Sequence, residues 1–142
     1  MCLYLKENKK PCIANEDIVC YKVVYKGAGQ YRSPYTCTLY KLNTTMNDSV
    51  RIIKRKKPYT FNGKSVWSIS AGGFHVYPTL NEAKTHIFKE YEILKEKGKA
   101  ELYNFTILKC IIPKDTKYYI GTFSGMKSYC SKSLKIIDEV NE

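Results

Sequence analysis

The sequence predicts a single α+β domain in which a mostly antiparallel β-sheet is combined with one main α-helix. Short stretches of alternating apolar and polar residues recur along the 142-residue chain and indicate strands. One segment before residue 98 instead shows the 3.6-residue spacing of a helix. Apolar residues make up 44% of the chain, which suffices for one core, and no repeat or linker divides the sequence.

Strands are predicted before and after the helix. An extended lead-in at 1–16 precedes a core at 17–137, and an acidic tail follows at 138–142. Within the core, strands are predicted at 17–26, 35–42, 50–54, 59–61, 66–70, 74–77, 105–112, 117–120 and 134–137. The polar residues at 43–49 predict a turn, and the glycines and hydroxyls at 121–129 predict a binding loop.

The helix has recognisable boundaries. Thr79 and Glu82 have the spacing of a capping box, and Gly98 is typical of a helix C-terminus. One apolar face is formed by Ala83, Ile87, Tyr91 and Leu94.

The positive charge is concentrated in the predicted sheet. The net charge is +11, yet Asp48 is the only acidic residue among ten basic ones at 18–81. Such a surface favours anionic partners such as nucleotides, nucleic acid or an acidic protein. Lysine outnumbers arginine by 21 to 3, which disfavours sequence-specific DNA reading because that task relies on the arginine fork. A lysine-rich surface also serves solubility, so both explanations stay open.

The cysteines indicate reduced, structural thiols. No two of them have C-x-x-C spacing, and only His75 and His86 are present as histidine ligands, so we expect no metal site. No apolar run approaches the ~20 residues of a membrane span, and no secretory leader is apparent. We therefore expect a cytoplasmic protein with no membrane contact. The six cysteines are Cys2, Cys12, Cys20, Cys37, Cys110 and Cys130.

The glycine-containing segment at 68–79 is the best candidate for a ligand site. Gly72 and Gly73 permit backbone conformations that other residues avoid and let a ligand approach the main chain. His75 and Tyr77 are two positions apart, so they lie on the same side of their strand. The free N–H groups at the start of the helix follow directly after them. The predicted ligand-binding residues are Tyr21, Lys22, Arg32, Ser33, Tyr35, Gly73, His75 and Tyr77.

Three segments together resemble ADP-ribosyltransferase-like domains: 18–24, 73–79 leading into the helix, and 106–113. The resemblance implies a split antiparallel sheet whose cleft holds NAD or a related nucleotide. Transferases of this family place a glutamate on a late strand, but 129–137 contains no carboxylate. The chain's Glu-x-Glu pair lies in the helix, where side chains two positions apart diverge. The resemblance therefore implies a non-catalytic, ligand-binding version without catalytic residues.

A basic segment near residue 55 is a candidate for binding nucleic acid or an acidic partner. Its cations would contact phosphates, and an aromatic face would accept a stacked base. Lysines that protect an edge strand against aggregation would give the same pattern. The residues are Arg51, Lys54, Arg55, Lys56, Lys57 and Tyr59.

These observations favour a small, basic, non-catalytic protein with a cleft for a nucleotide or another phosphate-bearing molecule. Two alternatives stay open. One is a phage or mobile-element accessory or inhibitor protein that binds nucleic acid or a nucleoprotein complex. The other is an active NAD-dependent ADP-ribosyltransferase.

Overall fold

The structure, a computed structural model, describes residues 3–5, 10–34, 38–56, 65–98, 104–123 and 125–140. The elements in chain order are β1 (Leu3–Leu5), β2 (Cys12–Ile13), β3 (Ile18–Gly27), β4 (Gln30–Arg32), β5 (Leu39–Tyr40), β6 (Thr44–Asn47), β7 (Val50–Lys56), β8 (Ser65–Gly72), β9 (Phe74–Val76), α1 (Leu80–Glu96), β10 (Phe105–Ile112), β11 (Lys117–Phe123), β12 (Met126–Ser131) and β13 (Ser133–Glu139).

The strands form two antiparallel sheets. Sheet A has the order β7-β8-β1-β11-β12-β9, and β2 pairs with β11 beside this path. Sheet B has the order β5-β4-β3-β10-β13-β6. The longest pairing joins β3 to β10 over eight residue pairs, because both strands have long runs of apolar and β-branched residues.

Sheet B lies between sheet A and the helix. One of its faces carries Cys20, Val24 and Leu108, which pack against Phe74 and Val76 of sheet A. Its other face packs against α1 through a cluster of Val23, Phe105, Ile107 and Ala83. Because successive residues of β3 point to opposite faces, Lys22 shares the face of Cys20 and Val24.

The two sheets meet at a single bridge between β3 and the residue after β9. Tyr21 and Tyr77 exchange backbone hydrogen bonds, with N···O distances of 2.9 and 2.8 Å. No other backbone pairing joins β3 to β9 among the described residues. The sheets therefore part on either side of this bridge and leave a gap between residues 22–23 and 75–76.

The predicted α+β class is wrong, because the chain is mostly β. Strands account for 57% of the residues, and α1 is the only helix in the described part of the chain. The predicted antiparallel arrangement is present, but it consists of two sheets rather than one. The strands β1, β2, β4 and β6 have only two to four residues each, and such short segments show too little alternation to be recognised.

Predictions for the long elements are confirmed. The helix begins after Thr79, whose Oγ1 accepts the backbone N–H of Glu82 at 3.3 Å, and Gly98 follows its end with φ of +68°. The predicted strands beginning at 17, 50, 66, 74, 105, 117 and 134 correspond to β3, β7, β8, β9, β10, β11 and β13. The predicted strand at 59–61 lies outside the described residues.

Several polar segments were predicted wrongly. Thr44–Asn47 forms β6 rather than a turn, and Met126–Ser131 forms β12 rather than a binding loop. The strand β12 is polar in sequence, yet Ser128, Cys130 and Ser131 are buried in it. Parts of the lead-in form β1 and β2, and the predicted tail begins within β13. Pairing with distant strands overrides local polarity at these positions.

The described cysteines Cys12, Cys20, Cys110 and Cys130 are free thiols, and the last three are buried. Burial raises the pKa of Cys110 and of Cys130 to about 12, so both stay protonated near neutral pH. No cluster that could hold a metal ion occurs among the described residues. Within the same part of the chain, no helix has the length and apolar character needed to cross a membrane.

Candidate functional site

A small pocket lies where the two sheets part. The strand β3 contributes Lys22 and Val23 to its wall, and sheet A contributes the residues at 75–77 and Ser128. The full lining is Lys22, Val23, Pro34, His75, Val76, Tyr77, His86, Phe123 and Ser128.

Lys22 is the charged residue of this wall and is only 6% exposed. Its ammonium donates to the carbonyl of His75 at 3.0 Å and lies 5.2 Å from the ring centroid of Tyr40. Among the residues that the structure describes, no carboxylate lies at salt-bridge distance from this ammonium. A buried charge without a counterion is costly, so this position favours an anion.

A chain of polar side chains also lines the pocket. The Tyr77 hydroxyl lies 2.7 Å from Nδ1 of His86, and Nε2 of the same imidazole lies 3.4 Å from Glu90. Ser128 adds a hydroxyl that interacts with Tyr77 and lies 3.3 Å from the carbonyl of Met126. Burial raises the pKa of Tyr77 and lowers the pKa of His86, so both groups are neutral near pH 7.

His75 belongs to a neighbouring buried cluster. Its Nε2 lies 3.7 Å from the Cys130 thiol, and its Nδ1 is buried without a hydrogen-bond partner in the described part of the chain. Burial lowers the pKa of His75 to about 3, and the nearby Lys22 charge acts in the same direction. A neutral imidazole beside a protonated thiol does not provide the thiolate that cysteine catalysis needs.

The hollow is the size of one compact group. The centre of a water molecule can occupy about 20 Å³ of it, which corresponds to a hollow of about 3 Å in radius. A single oxyanion matches this size, whereas a whole dinucleotide does not fit. Any larger ligand would therefore insert only one group between the sheets.

The glycines at 72 and 73 serve close packing rather than ligand approach. Both have φ above +70°. An added Cβ would lie 1.8 Å from the Ser49 carbonyl oxygen at Gly72 and 2.4 Å from the Cys130 sulfur at Gly73. The Gly73 amide donates to Asp48 at 3.1 Å, so the segment packs against its own chain.

The predicted ligand residues are brought together only in part. Lys22, His75 and Tyr77 line the pocket. Ser33 is buried beside Pro34, but Tyr21 faces the helix cluster on the other side of β3. Arg32 is exposed on β4, where it donates to Gln30 at 3.1 Å and lines a separate open groove. Tyr35 lies outside the described residues.

The predicted basic segment coincides with an edge strand. Within the described residues β7 pairs only with β8, at the margin of sheet A. Arg51 is exposed, and the backbone of Lys54, Arg55 and Lys56 belongs to this strand. Lys57 and Tyr59 lie outside the described residues, so nucleic-acid or acidic-partner binding here stays a prediction.

Sequence reasoning missed His86 and Pro34 as pocket residues, and it assigned Phe123 and Ser128 to a separate binding loop at 121–129 rather than to the site of His75. Ser128 reaches the pocket because β12 pairs with β9, a contact between distant parts of the chain. One usable signal was present for His86. It precedes Glu90 by four residues and follows Ala83 by three, which places an imidazole and a carboxylate on the buried face of the helix.

Comparisons of the chain with protein-family models, with curated proteins and with solved structures give no match. The resemblance to ADP-ribosyltransferase-like domains gains no support from them and stays a prediction. The pocket residues themselves are therefore the basis for inferring a function.

Proposed function

We propose that the protein binds a phosphate-bearing molecule and holds its anionic group in the pocket between the sheets. The observation that carries this proposal is the buried Lys22 ammonium, which lines the pocket without a carboxylate partner in the described part of the chain. An oxyanion there would supply the missing counter-charge through a charge-assisted hydrogen bond.

The arrangement favours binding over catalysis. The buried thiols Cys20, Cys110 and Cys130 are protonated because burial raises their pKa values, to about 12 for Cys110 and Cys130. None of the described residues that line the pocket has a carboxylate that could act as a base on a ligand. NAD and other nucleotides stay candidate ligands, with the phosphate inside the pocket and the remainder outside.

Calorimetric titration of inorganic phosphate and AMP tests the proposal. The variant Lys22→Met keeps the length of the side chain but removes its charge, and we expect at least a tenfold weaker affinity. Lys109→Met is the matched control. Lys109 is an exposed lysine of β10 that pairs with Tyr21 of β3, so this variant removes the same charge from an exposed position. At 0.15 M salt we expect the control to bind within twofold of the unmodified protein.

Lys22 could instead serve only to satisfy the His75 carbonyl across the gap. In that case Lys22→Met would lower the thermal stability, and neither phosphate nor AMP would give binding heat with the unmodified protein. This result would contradict the proposal.

A further inference from the structure

The hydroxyl groups of Tyr77 and Ser128, which line the pocket together with Lys22, already donate their hydrogens within the protein. Glu90 lies 3.4 Å from Nε2 of His86 and is the acceptor there, so Nε2 carries the imidazole hydrogen. Nδ1 of His86 is then an acceptor, and the Tyr77 hydroxyl 2.7 Å away must donate to it. The Tyr77 oxygen then has only its lone pairs to offer, so it can accept a further hydrogen bond but cannot donate one.

The protonation states of His86 and Tyr77 fix the direction of the hydrogen bond between them. Burial lowers the pKa of His86, although Glu90 opposes the shift and Lys22 and Lys89 add to it. Burial and Glu90 raise the pKa of Tyr77, so the phenol retains its hydrogen. Near neutral pH the hydrogen therefore stays between Tyr77 and His86.

The Ser128 hydroxyl also has its hydrogen engaged within the protein. Its single hydroxyl hydrogen points either to the Met126 carbonyl at 3.3 Å or to Tyr77. In both cases the hydrogen is used within the protein and a serine lone pair is left over. The pocket lining therefore combines hydrogen-bond acceptors with the Lys22 ammonium.

We infer that the pocket selects an oxyanion that still carries a hydrogen, and thus inorganic phosphate over sulfate. The phosphate would direct an anionic oxygen to Lys22 and its P–O–H to the oxygen of Tyr77 or Ser128. Sulfate has no hydrogen near neutral pH, so it would place an anionic oxygen against a buried lone pair. Buried polar sites reject an analogue that cannot complete the hydrogen bond.

This inference depends on the proposed function and narrows its ligands to inorganic phosphate and phosphomonoesters, because the pyrophosphate of NAD carries no P–O–H near neutral pH. A phosphomonoester loses its last P–O–H with a pKa of ~6. Free phosphate retains a hydrogen well above that pH. We therefore expect AMP to bind progressively more weakly from pH 5.5 to pH 7.5, whereas inorganic phosphate binds across this range.

Calorimetric titration of the full chain with phosphate and with sulfate, at pH 7.5 and equal ionic strength, tests the inference. We expect phosphate to bind at least tenfold more tightly. Equal affinities that both fall in Lys22→Met would overturn the inference and leave the proposed function standing. If phosphate, sulfate and AMP all fail to bind, both are overturned.

The variant His86→Leu provides a second measurement. It removes the acceptor of the Tyr77 hydroxyl, which can then donate into the pocket. We expect the preference for phosphate over sulfate to shrink to less than threefold. An unchanged preference in a folded variant would contradict the assigned hydrogen directions, and the wild-type comparison stands even if this variant does not fold.

Discussion

Replacing Gly72 with alanine should destabilise the protein by about 3 kcal/mol, which is roughly 9 °C in Tm. The backbone at this position has φ of +78°, and the new Cβ would lie 1.8 Å from the Ser49 carbonyl oxygen. A backbone atom cannot rotate away as a flexible side chain does, so the strands β7 and β8 would have to separate locally.

Gly29→Ala is the matched control for this substitution. Gly29 has a similar φ of +71°, but an added Cβ would have no heavy atom within 4 Å. We expect a loss of only about 1 kcal/mol from the left-handed conformation alone. Chemical denaturation of both variants separates the free-energy cost of the left-handed backbone conformation from the cost of the close contact with Ser49. Equal losses would show that Gly72 is not closely packed against Ser49.

Lowering the pH from 7 to 5 should destabilise the folded state by about 2 kcal/mol through His75 alone. Burial lowers the folded-state pKa of His75 to about 3, whereas the unfolded chain binds the proton near the ordinary value of 6.5. The unfolded state therefore takes up more protons below pH 6.5. Stability is complete above this pH and decreases progressively until about pH 3.

The variant His75→Gln tests this proton linkage. We expect its free energy of unfolding to decrease by about 2 kcal/mol less than that of the wild type between pH 7 and pH 5. Some dependence should persist, because burial also lowers the pKa of His86. Between pH 7.5 and pH 8.5 neither histidine titrates, so the two profiles should run parallel there, with a shared decrease because burial raises the pKa of Cys110 and of Cys130. Parallel curves over the whole range would argue against a buried neutral His75.

The sequence was informative where an element is long and its pattern regular. The strand β3 was recognised from its alternation, and this alternation places Lys22 and Tyr21 on opposite faces, although both were predicted to line one site. The Thr79 cap was likewise recognisable because capping is a local interaction. Neither pattern could reveal that Lys22 is buried, since this depends on β9 approaching from another part of the chain.

The candidate site was predictable only in part, because its second wall is made by long-range pairing. Tyr77 was identified from its place beside the glycines. Its partners His86 and Ser128 come from the helix face and from β12, which was predicted as a loop. The glycines pointed to the correct region for a different reason, since they allow close packing against Ser49 and Cys130.

Crystals grown with arsenate and measured at the arsenic absorption edge would test most directly whether an oxyanion occupies the gap between the sheets. Arsenate has the shape and the hydrogen of phosphate, and its anomalous signal locates it without ambiguity. We expect a peak at hydrogen-bond distance from the Lys22 ammonium and from Tyr77 or Ser128. A map whose peaks lie only beside exposed lysines, with the hollow next to Lys22 empty, would contradict an anion-binding pocket.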